Sequence, residues 1–167
     1  MGVEIIIREA TENDLLKMME IFNDIIVNTT AVWDYMPHTL EMRKQWFADK
    51  QKLGYPVFVA TENEKIVGFS TFGHFRAWAG YRFTVENSIY VESDCRGRGI
   101  GKLLLPPLIE TAKKLKLHAM VAGIDASNEV SIALHKKFGF EEVAHFKQVG
   151  YKFDRWLDLK FLELIVE

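Results

Sequence analysis

The chain has 167 residues, 49% of them apolar, with 21 basic and 23 acidic side chains and a formal charge of −2. That length suits a single domain, 1–167, with a core of its own, and the near-neutral balance argues against a general nucleic-acid binder, which carries a basic surplus. One cysteine, Cys95, permits no internal disulfide and no thiolate metal site. No apolar run approaches the ~18 residues of a membrane span, and Met1 to Ile7 lacks the basic start and cleavage site of a leader, so the expected location is the cytoplasm.

Val3 to Arg8 is short and β-branched and predicts a first strand. Thr11-Glu-Asn-Asp14 resembles a capping box with Asp in place of Glu. Leu15, Met18, Met19, Phe22 and Ile26 follow at helical spacing, so a helix is expected to about Asn28. Thr39 is placed to cap a second helix ending near Gly54. The loop between them carries Trp33 and Tyr35, which either plug the core or wall a substrate pocket. Pro56 to Thr61 and Lys65 to Phe72, separated by Glu62-Asn-Glu64, predict a hairpin, and Phe83 to Val91 a further strand.

Gly99 to about Lys116 has helical periodicity, but Pro106 and Pro107 fall inside it. An interior proline removes a hydrogen bond and clashes with the preceding turn at a cost of ~3 kcal/mol, so a kink or a break into two pieces is expected. His118 to Ile124 reads as a buried strand, Asn128 to Phe138 as a helix stopped by Gly139, and Phe140 to Phe146 and Phe153 to about Ile165 as closing strands. The order β-α-α-β-β-β-α-β-α-β-β predicts an α/β fold, a mixed sheet with helices on both faces.

The stretch Cys95-Arg-Gly-Arg-Gly-Ile-Gly101 joins an apolar strand to a helix start. Bare amides at a helix N-terminus, beside Arg96 and Arg98, suit a diphosphate. The spacing is not that of a nucleotide P-loop, because Gly97 to Gly101 is one residue too short and Leu103 stands where a hydroxyl would hold magnesium. Nor is it a dinucleotide fingerprint, since the pattern is Gly-x-Gly-x-Gly, mid-chain. A merely tight turn would need fewer glycines and no arginines.

Val91-x-x-x-x-Arg96-Gly-x-Gly-x-Gly101 resembles the acetyl-CoA motif of the Gcn5-related N-acetyltransferases. Asn128-x-x-Ser131-x-x-x-His135-x-x-x-Gly139-Phe140 is similar to that family's second CoA segment. Ala31-Val-Trp33, Tyr81 to Val91, His118 to Ile124 and Gln148 to Asp158 narrow the resemblance to the phosphinothricin and methionine sulfoximine acetyltransferases. The resemblance implies a mostly antiparallel twisted sheet of seven strands with four helices. It also implies acetyl-CoA as donor, no metal, and a homodimer in which Lys147 to Lys152 closes the partner's site. It implies donor contacts at Ile89, Tyr90, Val91, Arg96, Gly97, Arg98, Gly99, Ile100, Gly101, Asn128 and Ser131.

The implied reaction is acetyl transfer to the α-amine of a small amino-acid analogue, by direct attack in a ternary complex, since no nucleophile with a partnered base is visible. Period-two alternation places Thr84, Glu86, Ser88 and Tyr90 on one strand face. A poorly solvated Glu86 there is a candidate base; a solvent-facing Glu balancing Arg76 or Arg82 is the alternative. Backbone amides near Ile89 to Val91 could face the oxyanion. His135, where many relatives carry tyrosine, is the candidate proton donor to the thiolate, or simply a satisfied helix histidine. The acceptor site is expected to draw on Trp33, Phe75, Arg76, Arg82, Thr84, Val85 and Glu86, with an arginine holding the carboxylate. Rival readings are an enzyme for another amine (a protein N-terminus or a polyamine) and a non-catalytic CoA sensor.

Overall fold

A computed structural model describes residues 4–166; the expected strand start at Val3 lies outside them. The strands are β1 (Ile5–Glu9), β2 (Val57–Glu62), β3 (Lys65–His74), β4 (Thr84–Val91), β5 (Ala119–Asp125), β6 (Glu141–Lys152) and β7 (Arg155–Ile165). The helices are α1 (Leu15–Asn28), α2 (Leu40–Leu53), α3 (Ile100–Lys114) and α4 (Glu129–Lys137). One sheet runs in the order β1-β2-β3-β4-β5-β7-β6, antiparallel except between β4 and β5.

Local signals act as the residues dictate. The Thr11 amide donates to the Asp14 carboxylate at 2.7 Å, completing the box before α1, and Arg8 pairs with the same carboxylate. The Met42 amide donates to the Thr39 hydroxyl, and α2 stops at Gly54, whose φ of 68° is left-handed. The β2–β3 turn places Asn63 and Glu64 at positive φ, a two-residue hairpin turn.

Helices α1 and α2 bury Leu15, Met18, Phe22, Ile26 and Phe47 on one sheet face against Val59 and Phe69. On the other, α3 buries Leu105, Leu108 and Ala112 against Phe72, Val85, Met120 and Leu162. Strand β4 therefore has two faces of different character: Val85 enters the α3 core, while Glu86, Ser88 and Tyr90 look toward α1 and α2.

Two expectations are corrected. Helix α3 is one element through both prolines, not two pieces. The carbonyls that lose their amide donors are those of Lys102 and Leu103, which lie on the exposed side of the helix where water replaces the lost bonds. Residues 147–152 are not a connection between strands but the second half of β6, continued past a bulge between Phe146 and Gly150.

The parallel pairing that joins the two halves of the sheet is short. β4 and β5 are in register only from Thr84 opposite Ala119 to Glu86 opposite Val121. Beyond that point β4 stays with β3 and β5 stays with β7. The sheet forks, and the two strands present unpaired backbone edges to each other.

Candidate active site

Glu86 stands at the last register position before the fork. Its carboxylate lies against Gly123 of β5 and accepts a hydrogen bond from that residue's backbone; a Cβ at Gly123 would stand 2.7 Å from Glu86 Oε1. A side chain at 123 would displace the carboxylate. Burial pushes the Glu86 pKa up, and the Arg76 guanidinium and the Gly123 amide oppose this in part. A carboxylate whose pKa is raised by burial is a better proton acceptor than an exposed one.

Glu86 and Ser88 open onto a cavity of about 280 Å³ between the sheet and α1–α2, whose other walls include Phe22, Trp46, Phe69 and Tyr90. Arg43 and Lys50 of α2 also line it. Neither was singled out in the sequence, because a cation on an amphipathic helix ordinarily faces water. Their burial becomes visible only once α2 is laid on the sheet. Gly123 was likewise missed, although a glycine inside a strand signals a close approach.

At the other end of β4 the loop behaves as a backbone cradle. Gly97 and Gly99 have φ of 76° and 81°, with open space where a Cβ would stand, so they are glycines for conformation. Gly101 is glycine for another reason: its Cβ would meet Leu134 of α4 at 3.0 Å. Among the described residues, the amides of Gly97 to Gly101 donate to no backbone or side-chain acceptor. They, and the positive end of α3, match an anionic diphosphate. Arg96 is braced on the Val91 carbonyl at 3.2 Å, and Arg98 is paired with Glu62. Both arginines are exposed beside the amides. Ile89 and Val91 turn their side chains into the α3 side, leaving their backbone to the fork. The Tyr90 side chain packs between Phe22 and Phe69, so only its backbone serves the donor side.

His135 is 3% exposed; its Nδ1 lies 2.8 Å from the Ser131 carbonyl oxygen, its Nε2 lies 3.0 Å from the Asn87 side-chain oxygen, and Phe140 packs on its ring. Both ring nitrogens thus face oxygen acceptors; burial lowers the pKa of the imidazole, and the Ser131 carbonyl opposes this in part. The ring is a strut: Asn87 in turn donates to the Val121 carbonyl at 3.3 Å, where the parallel ladder ends. Asn128 accepts from the Ser131 amide at 3.1 Å and caps α4.

The acceptor residues are only partly gathered. Trp33 is fixed by its indole N–H on the Thr30 carbonyl at 2.8 Å and lies against Gly150, where a Cβ would come within 2.3 Å of the ring. Its loop is fastened by the buried Lys152, whose ammonium donates to the carbonyls of Ile26, Thr29 and Val32. The β6 stretch expected to serve a partner thus also acts within its own chain. The Phe75 amide donates to the Thr84 carbonyl at 3.4 Å, and the Phe75 ring meets Phe161 edge-on. Arg76 is close enough for its charge to act on Glu86. Arg82 is not brought in: it lies over Phe83 and reaches the Ala79 carbonyl. Val85 is corrected as well, since its side chain is wholly in the core and only its backbone could meet a substrate. Among the described residues no group of side chains could hold a metal ion, and no helix is long and apolar enough to cross a membrane.

A sheet forked beside a buried carboxylate, with a glycine cradle at the end of the same strand, suits an acyltransferase whose donor carries a diphosphate. Residues 7–160 match the acetyltransferase (GNAT) domain family. The L-methionine sulfoximine/L-methionine sulfone acetyltransferase of Pseudomonas aeruginosa is 45% identical over 95% of this chain and 92% of its own. The phosphinothricin N-acetyltransferase of Streptomyces coelicolor is 36% identical over 96% and 95%. A solved acetyltransferase from Salmonella typhimurium, with acetyl-CoA bound, superposes with a TM-score of 0.96 at 41% identity, covering 98% of this chain and 94% of that one. The chain belongs to the GNAT acetyltransferase family. It is an acetyl-CoA-dependent N-acetyltransferase.

Proposed function

We propose that the enzyme acetylates the α-amine of a small amino-acid analogue of the methionine sulfoximine or phosphinothricin kind, within a single domain, and so detoxifies it. The observation that carries this is the Glu86 carboxylate, buried against Gly123 at the fork and opening onto a small aromatic cavity. Acetyl-CoA supplies the thioester carbonyl and a thiolate leaving group. In this reading the Gly97–Gly101 amides, with Arg96 and Arg98, hold the diphosphate, and the unpaired β4 edge with α4, Asn128 and Ser131 borders the arm. Glu86 takes the amine's proton, directly or through one water, and backbone amides of Ile89 to Val91 face the oxygen that gains charge. Arg76 holds the α-carboxylate near Glu86, and Trp33 and Phe75 close the mouth.

Exposed apolar side chains on the last hairpin, among them Val143, Phe146, Val149, Tyr151 and Trp156, support a homodimer through β6 and β7. A cytoplasmic location belongs to the same reading, since acetyl-CoA is made and used there. The test is thiol release from acetyl-CoA with a panel of methionine sulfone, phosphinothricin, a polyamine and a peptide N-terminus. Turnover confined to the amino-acid analogues is expected. Preference for the peptide or polyamine would overturn the acceptor assignment, and tight CoA binding without turnover would leave the sensor.

A further inference from the structure

Arg43 is 3% exposed, yet its Nε and Nη2 donate to no acceptor among the described residues. Its guanidinium lies 4.0 Å from the Trp46 ring centroid and 4.7 Å from that of Phe22. Stacking satisfies the face of the guanidinium; the N–H groups around its edge still need oxygen acceptors. Lys50, two turns of helix further along α2, reaches the Phe72 carbonyl at 2.5 Å and shares the cavity with Arg43. Burial brings Arg43 down to about 10, and burial with the neighbouring Arg43 charge brings Lys50 down to about 8. A buried and a half-buried cation therefore repel one another on the α2 wall of a cavity in which Glu86 is the one carboxylate among the lining residues. Glu86 does not neutralise them, because the cation whose field reaches it is Arg76. The remaining ionisable lining groups are His38, His74 and Tyr90. Near them Tyr55 meets His74 at 3.1 Å, and burial pushes the Tyr90 hydroxyl up, so that it stays neutral.

We propose that Arg43 and Lys50 form an oxyanion-binding subsite on the α2 wall of the acceptor cavity, receiving an anionic group on the acceptor's side chain while its amine stands at Glu86. The proposal rests on the N-acetyltransferase reading above and deepens it. Arg76 acts on Glu86 from outside the set of residues lining the cavity, whereas Arg43 and Lys50 lie within it, and two separate cationic places suit an amino acid with two anionic groups. The aromatic walls suit a short aliphatic linker. A phosphinate or carboxylate there would give the guanidinium its missing acceptors and bring a negative charge to the two positive ones.

The experiment compares phosphinothricin, whose side chain ends in an anionic phosphinate, with methionine sulfone, whose side chain is neutral and of similar length. In Arg43→Met and in Lys50→Met, kcat/KM for phosphinothricin is expected to fall roughly tenfold further than for methionine sulfone, chiefly through KM, as loss of a charge-assisted bond implies. Equal losses for both substrates, or none, would overturn the subsite. Lys50→Met covers the case in which Arg43→Met fails to fold, judged by its melting curve. Should the wild-type protein turn over neither compound, calorimetry with phosphinothricin decides independently. Binding by wild type that weakens in Lys50→Met upholds the subsite without the activity. No binding, or equal binding in both, sinks it.

Discussion

The two ends of β4 are built by opposite means. At its C-terminal end the donor cradle is made from backbone within a few consecutive residues, and two of its three glycines are there for φ alone. At its N-terminal end the acceptor site is made from side chains of α2, β4 and the α1–α2 loop, held by glycines on β5 and β6. In the proposed reading the cradle of amides has one task, binding the diphosphate of the donor. A pocket of side chains can be varied one residue at a time, so acceptor choice can change while donor binding stays.

The sharpest way to break that contrast is Glu86→Gln. It keeps the shape and removes the proposed base, so kcat is expected to fall roughly 10²–10⁴-fold, with acetyl-CoA affinity by calorimetry little changed. Equal kcat across a pH series would assign the proton to another group. Gly123→Ala comes next. Its Cβ would stand 2.7 Å from Glu86 Oε1, and the carboxylate would have to shift. A displaced base is expected to cost roughly tenfold to a hundredfold in kcat. If β5 gives way instead, kcat stays and the close approach has no catalytic meaning.

The donor end responds differently. Gly99→Ala forces a side chain into φ of 81° without any steric neighbour, a strain of about 1–2 kcal/mol. The effect should appear as a raised KM for acetyl-CoA, up to roughly tenfold, and a lowered Tm, with the ranking of acceptors intact. A changed acceptor ranking would mean that the two ends are not separable.

Lys152 sharpens the comparison from within the acceptor side, because it is the counterpart of Arg43. Both are buried cations, but Lys152 has three carbonyls for its three protons whereas Arg43 has two orphaned nitrogens. One is a completed structural tie and the other is poised for a ligand. Lys152→Met leaves three carbonyls without a donor and frees the loop of Trp33. A loss of about 1–3 kcal/mol in stability is expected, with KM for the acceptor raised and KM for acetyl-CoA unaffected. Urea melts and the two KM values check it.

The same contrast explains what could be read in advance. Element order, the hairpin turn, the α1 and α2 caps and the glycine loop are local in sequence, and each followed from consecutive residues. Glu86 was reachable because alternation along one strand assigns it a face. Gly123, Gly150, Arg43 and Lys152 were not, because each matters through neighbours brought close only by the fold: Glu86, Trp33, the aromatics over the sheet and the end of α1. The surroundings of His135 were hidden for the same reason: Asn87, 48 residues away, meets its second nitrogen. The prolines of α3 do not break it because the cost of a lost hydrogen bond depends on whether the freed carbonyl faces water.

The smallest expected effect tests the burial of Glu86 itself. Its folded pKa is raised above the ordinary 4.5, mainly by desolvation. Between 4.5 and the raised value the folded protein therefore holds a proton that the unfolded chain has released. Stability falls as pH rises through this window, and the full penalty of a buried charge persists above it. The amide of Glu86→Gln carries no such charge. The Tm of that variant should therefore lie close to that of the wild type below pH 4.5 and rise above it as pH increases toward neutrality, levelling once Glu86 is ionised. A variant less stable than the wild type at neutral pH would mean that Arg76 and the Gly123 amide outweigh desolvation. Glu86 would then be a settled ion pair, and its place beside the cavity would owe nothing to proton transfer.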